Sequence, residues 1–335
     1  MFNYLGIDVG TSNTTIFVKG AGIKLRQPTV VAVDNVRSKV IAVGREAKQM
    51  LGKTPESIGA YLPLRHGVIA DFDIAANMLN RFLKMTKRAS GNPFFYRPKV
   101  MISIPFGVTN VEKRAFEDAA LEAGAKSVAL ITAPLAAAIG ADLHIHETRG
   151  SMVVDIGGGT TEAAVLTHGG IASSNAVRVG GDDLDAAIVG YIKRKYNVYI
   201  GDVTAELLKN NVGSAFPGAD VGSMEVRGRN LMTGLPATIA ISSEDIRDAM
   251  YEQLVRIIDC VHAVLEDTPP ELASDIYDRG MVLTGGCAKL KGLDMLIAQQ
   301  TGVRTFVTKH PQEAVILGIG RVLEAGDFTN YEDNE

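Results

Sequence analysis

Short apolar runs that end in glycine and small hydroxyl residues recur along this chain. The clearest run covers residues 152–156, in which Asp155 interrupts a series of apolar side chains, and three glycines, two threonines and a glutamate follow at 157–162. Such a run is typical of a buried strand that ends in a tight turn. Residues 4–15 have the same order, with Asp8 at the end of the strand. We therefore predict an internal repeat of a strand–turn–strand unit.

The remaining periodicity predicts helices that alternate with strands. Apolar residues at helical spacing indicate helices over 73–89, 184–196 and 245–265. Small residues dominate two more predicted helices, at 134–140 and 311–323, and allow them to pack closely against other helices. The expected N-caps are Asp73 for the first helix, Asp182 or Asp183 for the second, and Ser242 or Ser243 for the third.

Composition describes an ordinary globular protein. The chain has 335 residues, which suits two domains, and its net charge of −4 argues against a general nucleic-acid-binding surface. Cys260 and Cys287 are far apart in sequence and indicate neither a disulfide framework nor a metal cluster, so we expect a reducing cytoplasm. Neither a signal peptide nor an apolar run long enough to span a bilayer is expected.

The two aspartate–glycine turns have the chemistry of a phosphate site. Glycine lets backbone N–H groups approach a ligand closely, and successive N–H groups form a concavity that binds anions. An aspartate at the end of each strand is suited to a hydrated divalent cation. A single glycine-rich turn is equally compatible with an ordinary hairpin, but two such turns that face each other would grip a polyphosphate from both sides.

A loop between residues 87 and 99 places three consecutive aromatic residues between basic residues. Phe94, Phe95 and Tyr96 lie between Pro93 and Pro98, which argue against a strand. One interpretation is that the rings fold back into the core. The other is membrane contact, because each buried ring contributes about 1.5–3 kcal/mol and each flanking cation adds roughly 1 kcal/mol near anionic lipid.

A third glycine turn, at residues 284–288, completes a pattern that resembles the superfamily of actin, the sugar kinases and the heat-shock chaperone ATPases. Over about residues 4–326 the chain resembles the MreB family of bacterial actins. The resemblance implies an α/β actin-like fold with two duplicated, ribonuclease-H-like lobes around a nucleotide cleft. It rests on residues 8–14, 67–72, 155–162, 179–182, 268–272 and 283–286.

The resemblance also implies domain boundaries. Lobe I would cover 1–142 and 313–335, with an inserted subdomain IB at about 30–75. Lobe II would cover 143–312, with an inserted subdomain IIB at about 182–243.

The same resemblance implies roles for individual residues, with ATP and Mg²⁺ as the cofactors. Asp8 and Asp155 would hold Mg²⁺, mostly through water. Glu206 and Lys209, which could otherwise form a surface ion pair at i and i+3, would line the adenosine pocket. Cys287 would be a small pocket residue and not a nucleophile. The implied nucleotide contacts are Thr11, Ser12, Asn13, Gly157, Gly158, Gly159, Gly181, Glu206, Leu207, Leu208, Lys209, Gly285, Gly286, Cys287 and Ala288.

One departure from the family pattern concerns hydrolysis. The family usually has two glutamates before the small-residue helix, and a glutamate there helps to position the attacking water. This chain has Thr132 and Ala133 instead. Because phosphoryl transfer to water depends on positioning, we expect slow hydrolysis unless Thr160, Thr161 or another group aligns the water.

The function implied by the resemblance is an ATP-dependent cytoskeletal filament that organises cell-wall synthesis and rod shape. Its partners would be further copies of the chain, the inner face of the membrane and membrane-bound morphogenesis proteins, with no role for nucleic acid. The alternative is a non-polymerising or copolymerising actin-fold ATPase or kinase-like regulator. A sugar kinase is disfavoured because no catalytic aspartate stands in a substrate loop between the two halves, and a chaperone because no peptide-binding domain follows.

Overall fold

The computed structural model describes residues 4–91 and 97–331. The predicted membrane-contact residues Phe94, Phe95 and Tyr96 lie outside the described residues. Within the described ranges, every helix is too short or too polar to cross a bilayer.

Helices occur where the periodicity predicts them, between groups of one to five strands. The strands are β1 (Tyr4–Val9), β2 (Asn13–Val18), β3 (Gly22–Pro28), β4 (Val31–Asp34), β5 (Lys39–Val43), β6 (Ile58–Tyr61), β7 (Leu64–Arg65), β8 (Val68–Ile69), β9 (Lys99–Ile104), β10 (Ser127–Thr132), β11 (Ser151–Ile156), β12 (Thr161–Thr167), β13 (Gly170–Val177), β14 (Val198–Tyr199), β15 (Ser223–Asn230), β16 (Pro236–Ser242), β17 (Met281–Thr284) and β18 (Thr305–Val307). The helices are α1 (Arg45–Met50), α2 (Phe72–Ser90), α3 (Asn110–Glu122), α4 (Ala133–Gly140), α5 (Gly181–Tyr196), α6 (Asp202–Val212), α7 (Ser243–Asp267), α8 (Pro270–Arg279), α9 (Leu293–Thr301) and α10 (Ala314–Ala325).

Two five-stranded sheets with the same topology form the centres of two lobes. The first sheet has the order β10-β9-β1-β2-β3, and the second has the equivalent order β18-β17-β11-β12-β13. In both sheets the leading strand, β1 or β11, pairs antiparallel with the next strand and parallel with a later one. The structure therefore shows the repeat that the sequence predicts.

Each lobe has its own apolar core around its sheet. In the first lobe, β1 and β9 pack against α2, which buries Met78, Leu79 and Phe82 on one face. In the second lobe every residue of β11 is buried, because helices and neighbouring strands cover both of its faces. This burial holds Asp155 at the end of an apolar strand.

Helices α4 and α10 cross between the two sheets and share a third core cluster with both. A Cβ atom on Gly140 would lie 1.7 Å from the carbonyl oxygen of Ala314, and one on Gly318 would lie 1.8 Å from that of Ala136. Only glycine permits this backbone approach. The small residues predicted for these helices therefore allow the lobes to meet at a tight crossing.

Two small inserted sheets extend the lobes. The order β5-β4-β6, with α1, belongs to the first lobe, and the order β14-β15-β16, with α6, belongs to the second. The domain boundaries expected from the sequence stay a prediction.

Two predicted helix caps are wrong. The N-cap of α2 is Asp71, whose side chain accepts a hydrogen bond from the amide of Ile74, and not Asp73. The N-cap of α5 is Gly180, and Asp183 instead accepts from the Gly180 amide at 2.9 Å. Ser242 caps α7, as one of the two expected residues. The misplaced caps are neighbouring acidic residues in the first turn, where sequence alone distinguishes poorly between positions.

Candidate functional site

The two aspartate–glycine turns lie directly opposite each other across the boundary between the lobes. A Cβ atom on Gly158 would lie 2.0 Å from Oγ of Ser12, and one on Gly159 would lie 2.5 Å from Oγ1 of Thr11. Each turn is closed by a backbone hydrogen bond, from Gly10 to Asn13 at 3.0 Å and from Gly157 to Thr160 at 2.8 Å. The predicted phosphate turns therefore form two walls of one narrow space.

This space opens into a cleft between the lobes with a cavity volume of about 410 Å³. That size suits a ligand such as a nucleotide, since ligand pockets typically measure about 300–1,000 Å³. Most of the residues predicted from the sequence line it. These are Asp8, Thr11, Ser12, Asn13, Asp155, Gly157, Gly158, Gly159, Thr160, Gly181, Glu206, Lys209, Gly285, Gly286 and Cys287.

The structure places five of the predicted residues away from the cleft wall. The hydroxyl of Thr161 is buried and donates to the carbonyl of Val179 at 2.9 Å. Leu207 is exposed on α6 and Leu208 is buried in the core, because only one face of this helix borders the cleft. Ala288 is buried beside the third glycine turn. Thr132 forms the N-cap of α4, and its neighbour Ala133 lines the cleft instead.

Asp8 and Asp155 occupy equivalent positions in the two lobes. Ser103, on the neighbouring parallel strand, donates to Oδ1 of Asp8 at 2.8 Å, and Thr284 likewise donates to Oδ1 of Asp155 at 2.6 Å. Burial raises the pKa of both carboxyl groups to about 6. A cation between the lobes would offset the cost of burying these charges.

The carboxylate oxygens of Asp8 and Asp155 are suitable ligands for a hydrated magnesium ion. Both aspartates offer hard oxygen ligands, which Mg²⁺ prefers together with water and phosphate oxygens. Within the described ranges, no group of three or more His, Cys, Asp or Glu side chains is arranged to hold a metal ion. The remaining ligands would therefore come from water and from the phosphates.

Glu162 is a cleft residue to which the sequence assigned no role. Thr160 donates to Oε1 of Glu162 at 3.1 Å, and the amide of Phe106 donates to Oε2 at 2.8 Å. Burial raises the pKa of this carboxyl group to about 8. The signal was available, because a charged residue directly after two threonines in a buried strand needs hydrogen-bond partners.

The ion pair between Glu206 and Lys209, the alternative considered from the sequence, is wrong. Nζ of Lys209 lies 2.8 Å from Oδ2 of Asp185 and also donates to the carbonyl of Gly181 at 2.7 Å. Glu206 instead pairs across the cleft with Lys48 of α1, at 2.8 Å and 3.1 Å from its two oxygens. Helix α6 therefore contributes a fixed cation to the cleft and a carboxylate to its mouth.

A polar network of Arg26, Lys289 and Gln312 also lines the cleft. Arg26 of β3 donates to Oε1 of Gln312 at 2.8 Å and lies 3.4 Å from Glu313, just before α10. Lys289 donates to the same oxygen of Gln312 at 2.9 Å. Sequence reasoning missed these residues, because only the observed strand register places Arg26 beside Thr15 and Thr15 beside Asp8.

Cys287 has the surroundings of a packing residue. Its Sγ donates to the carbonyl of Gly157 at 3.3 Å. Burial raises the pKa of the thiol to about 11, so the reactive thiolate form is disfavoured. Cys287 is therefore a small, buried residue of the cleft wall.

Polar contacts outside the crossing of α4 and α10 also join the lobes. Lys48 pairs with Glu206, Ser12 donates to Asp182 at 3.3 Å, and Arg178 pairs with Glu112 at 2.9 Å. Ser12, Asp182 and Glu206 of these contacts line the cleft.

Comparison with known proteins agrees with this architecture. A family profile described as MreB/Mbl protein matches residues 2–330. The cell shape-determining protein MreB of Escherichia coli K12 is 49% identical over 332 residues, which cover 97% of this chain and 94% of that protein. The crystal structure of MreB5 of Spiroplasma citri bound to ADP matches with a TM-score of 0.92 and 34% identity, and covers 99% of this chain and 98% of that one. The same protein bound to AMPPNP matches with a TM-score of 0.91.

A more distant likeness supports the fold alone. The MamK double helical filament matches with a TM-score of 0.81 at 20% identity, and covers 96% of this chain and 98% of that one. The duplicated lobes, the facing glycine turns and the close relatives lead to one conclusion. This chain has an actin-like fold and belongs to the MreB/Mbl family.

Proposed function

We propose that this protein binds ATP between its lobes and assembles into cytoskeletal filaments that determine rod shape. The observation that carries the proposal is the pair of facing glycine turns at the base of a cleft lined by Asp8 and Asp155. Relatives named as cell shape-determining proteins, and a relative that binds ADP and AMPPNP, support it.

The phosphates would lie between the turns at 10–13 and 157–159. Backbone amides and the hydroxyl of Thr11, whose oxygen accepts from the Gly67 amide, supply hydrogen-bond donors there. Asp8 and Asp155 would hold Mg²⁺, which neutralises phosphate charge when bound. Lys209 would face the nucleoside side of the cleft. There the glycines Gly181 and Gly286 would let the backbone approach the nucleoside, and Cys287 would present a small side chain.

Assembly follows from coupling between nucleotide and lobe closure. ATP that contacts both lobes favours the closed arrangement, and a closed subunit that presents the correct surfaces favours contact with further copies. Sedimentation at micromolar protein tests this coupling. We expect a pellet that grows with protein concentration above a threshold and that depends on ATP and Mg²⁺.

The outcomes of sedimentation separate the two functions considered. A protein that binds ATP but stays monomeric at every concentration is a non-polymerising regulator, which contradicts the filament proposal. Assembly that requires a related family member would identify a copolymerising partner, the second form of the alternative.

We also propose peripheral attachment to the cytoplasmic face of the membrane, through Phe94, Phe95 and Tyr96. The support is sequence chemistry, since three aromatic residues stand between cations. A filament multiplies weak anchors, so a modest loop suffices for stable attachment. Contacts with membrane-bound cell-wall morphogenesis proteins would follow from this location.

Flotation with anionic liposomes tests the attachment. The wild-type protein should rise with the vesicles, and the variant that combines Phe94→Ser with Phe95→Ser should stay below. Equal flotation of both proteins would reject the membrane role, provided that both sediment equally with ATP.

A further inference from the structure

Asp185 presents an unpartnered acceptor atom to the nucleotide cleft. Its Oδ2 accepts a hydrogen bond from Nζ of Lys209 at 2.8 Å. Its Oδ1 is buried and, within residues 4–91 and 97–331, is the one buried side-chain nitrogen or oxygen without a hydrogen-bond partner. The residue is 8% exposed and lines the cleft.

A buried oxygen without a hydrogen-bond partner indicates that a hydrogen-bond donor binds there in the functional protein. Buried polar atoms nearly always have a partner, because the loss of water without a replacement hydrogen bond is unfavourable. A carboxylate oxygen only accepts hydrogen bonds. The partner of Oδ1 must therefore be an O–H or N–H group that enters the cleft.

The position of Asp185 narrows the choice to one part of a nucleotide. It lies one helical turn beyond Gly181, whose amide donates to the carbonyl of Gly157 at 3.0 Å. Asp185 therefore lines the cleft one helical turn away from the second phosphate turn. A nucleotide with phosphates at that turn has its sugar as the next group, and the donors on the sugar are its hydroxyls.

Glu206, the acidic residue that the sequence favours for the nucleoside, is already engaged. Both of its oxygens accept from Lys48 across the mouth of the cleft, and the side chain is 38% exposed. A solvated carboxylate with a partner gains little from a further hydrogen bond. Asp185 is buried, fixed by Lys209 and has a free acceptor.

We propose that Asp185 accepts a hydrogen bond from a ribose hydroxyl and thereby makes the site select ribonucleotides over deoxyribonucleotides. The inference rests on the proposed binding of ATP. Its physical basis is that a site built around a hydroxyl rejects the analogue that lacks it, because its own buried acceptor is then left unpaired.

The first test uses the unmodified protein. Isothermal titration calorimetry with Mg²⁺, in a buffer in which sedimentation shows no polymer, compares ATP with 2′-dATP and 3′-dATP. We expect at least one deoxy analogue to bind about tenfold or more weakly than ATP, as for the loss of a hydrogen bond to a charged group. Absence of ATP binding would refute the proposed function itself. If ATP and both analogues bind with equal affinity, only this inference is overturned. That result is expected if an ordered water molecule donates a hydrogen bond to Oδ1.

The second test assigns the selectivity to one side chain. Asp185→Ala should lower the ratio between the ATP and deoxy-ATP affinities to near one, whereas Glu206→Gln should leave that ratio unchanged. If Asp185→Ala does not fold, the comparison of nucleotides on the unmodified protein and the Glu206→Gln ratio still keep the proposal falsifiable. Loss of selectivity in Glu206→Gln would place the sugar contact on Glu206 and overturn the proposal.

Discussion

At the scale of single residues, the side chains at the cleft are positioned by contacts made far along the chain. Asp8 and Asp155 each accept from a hydroxyl on a neighbouring parallel strand, 95 and 129 residues away in sequence. Glu162 is held by a threonine and by the backbone of Phe106. Each carboxylate has a defined orientation, although burial raises its pKa.

The effect of the absent glutamates on ATP hydrolysis can be tested with single substitutions, and the structure indicates that position 133 is the informative one. Ala133 lines the cleft, whereas Thr132 does not. We predict that Ala133→Glu accelerates phosphate release from ATP by on the order of tenfold or more, since a positioned proton acceptor contributes roughly 10²–10⁴-fold in enzymes. Thr132→Glu is the matched control and should leave the rate unchanged. A continuous phosphate assay measures both, and a larger acceleration in the control than in Ala133→Glu would contradict the prediction.

At the scale of secondary-structure elements, α6 shows how one helix serves several functions through its faces. Glu206 and Lys209 border the cleft, Leu208 packs into the core and Leu207 is exposed. Consecutive positions on a helix point in different directions, so a run of four residues cannot act as one binding segment. The sequence resemblance implies that all four residues at 206–209 contact the nucleotide, whereas in the helix only Glu206 and Lys209 of these four line the cleft.

The crossing of α4 and α10 gives a second prediction at the scale of elements. Gly318→Ala should lower the melting temperature, because its methyl group would collide with the backbone carbonyl of Ala136 and overpacking typically costs about 1–3 kcal/mol. Gly201→Ala is the control, since a Cβ atom there meets no atom within 4 Å. Differential scanning fluorimetry measures both. Equal melting temperatures for the two variants would show that the crossing relaxes without cost.

At the scale of the whole molecule, the cleft is held at its mouth by a contact between the inserted subdomains. Lys48 of α1 and Glu206 of α6 are each 38% exposed and lie 2.8 Å apart. An exposed ion pair contributes about 0.2–1 kcal/mol. The contact therefore biases lobe closure without locking it.

We predict that Glu206→Gln raises the open fraction of the nucleotide-free protein by no more than about fivefold, which corresponds to roughly 1 kcal/mol. Spin labels on cysteines introduced at the exposed positions Glu46 and Val203 would report the distance between α1 and α6. High salt should shift the wild-type distances toward those of the variant, because salt screens exposed charges. Glu252→Gln, on the exposed side of α7, is the control. An unchanged distance distribution in Glu206→Gln would show that the ion pair has no part in closure.

The sequence by itself determined the features that depend on neighbouring residues. The repeated strand and turn, the third glycine turn and the small-residue helices follow from local hydrophobic period and from the conformational freedom of glycine. The same local patterns carry the family resemblance, and the structure confirms the fold that it implies.

Only the tertiary structure decided how side chains are partnered, since partners are chosen by distances that the chain order does not contain. Glu206 pairs with Lys48, which is 158 residues away, and Arg26 contacts Gln312, which is 286 residues away. The orientation of α4 decided that position 133, and not 132, lines the cleft. In the folded chain Lys209 bonds only Oδ2 of Asp185, and the buried Oδ1 is left without a hydrogen-bond partner. Hydrogen bonding and burial act through space, and for this reason the chemistry of the site could be predicted only in part.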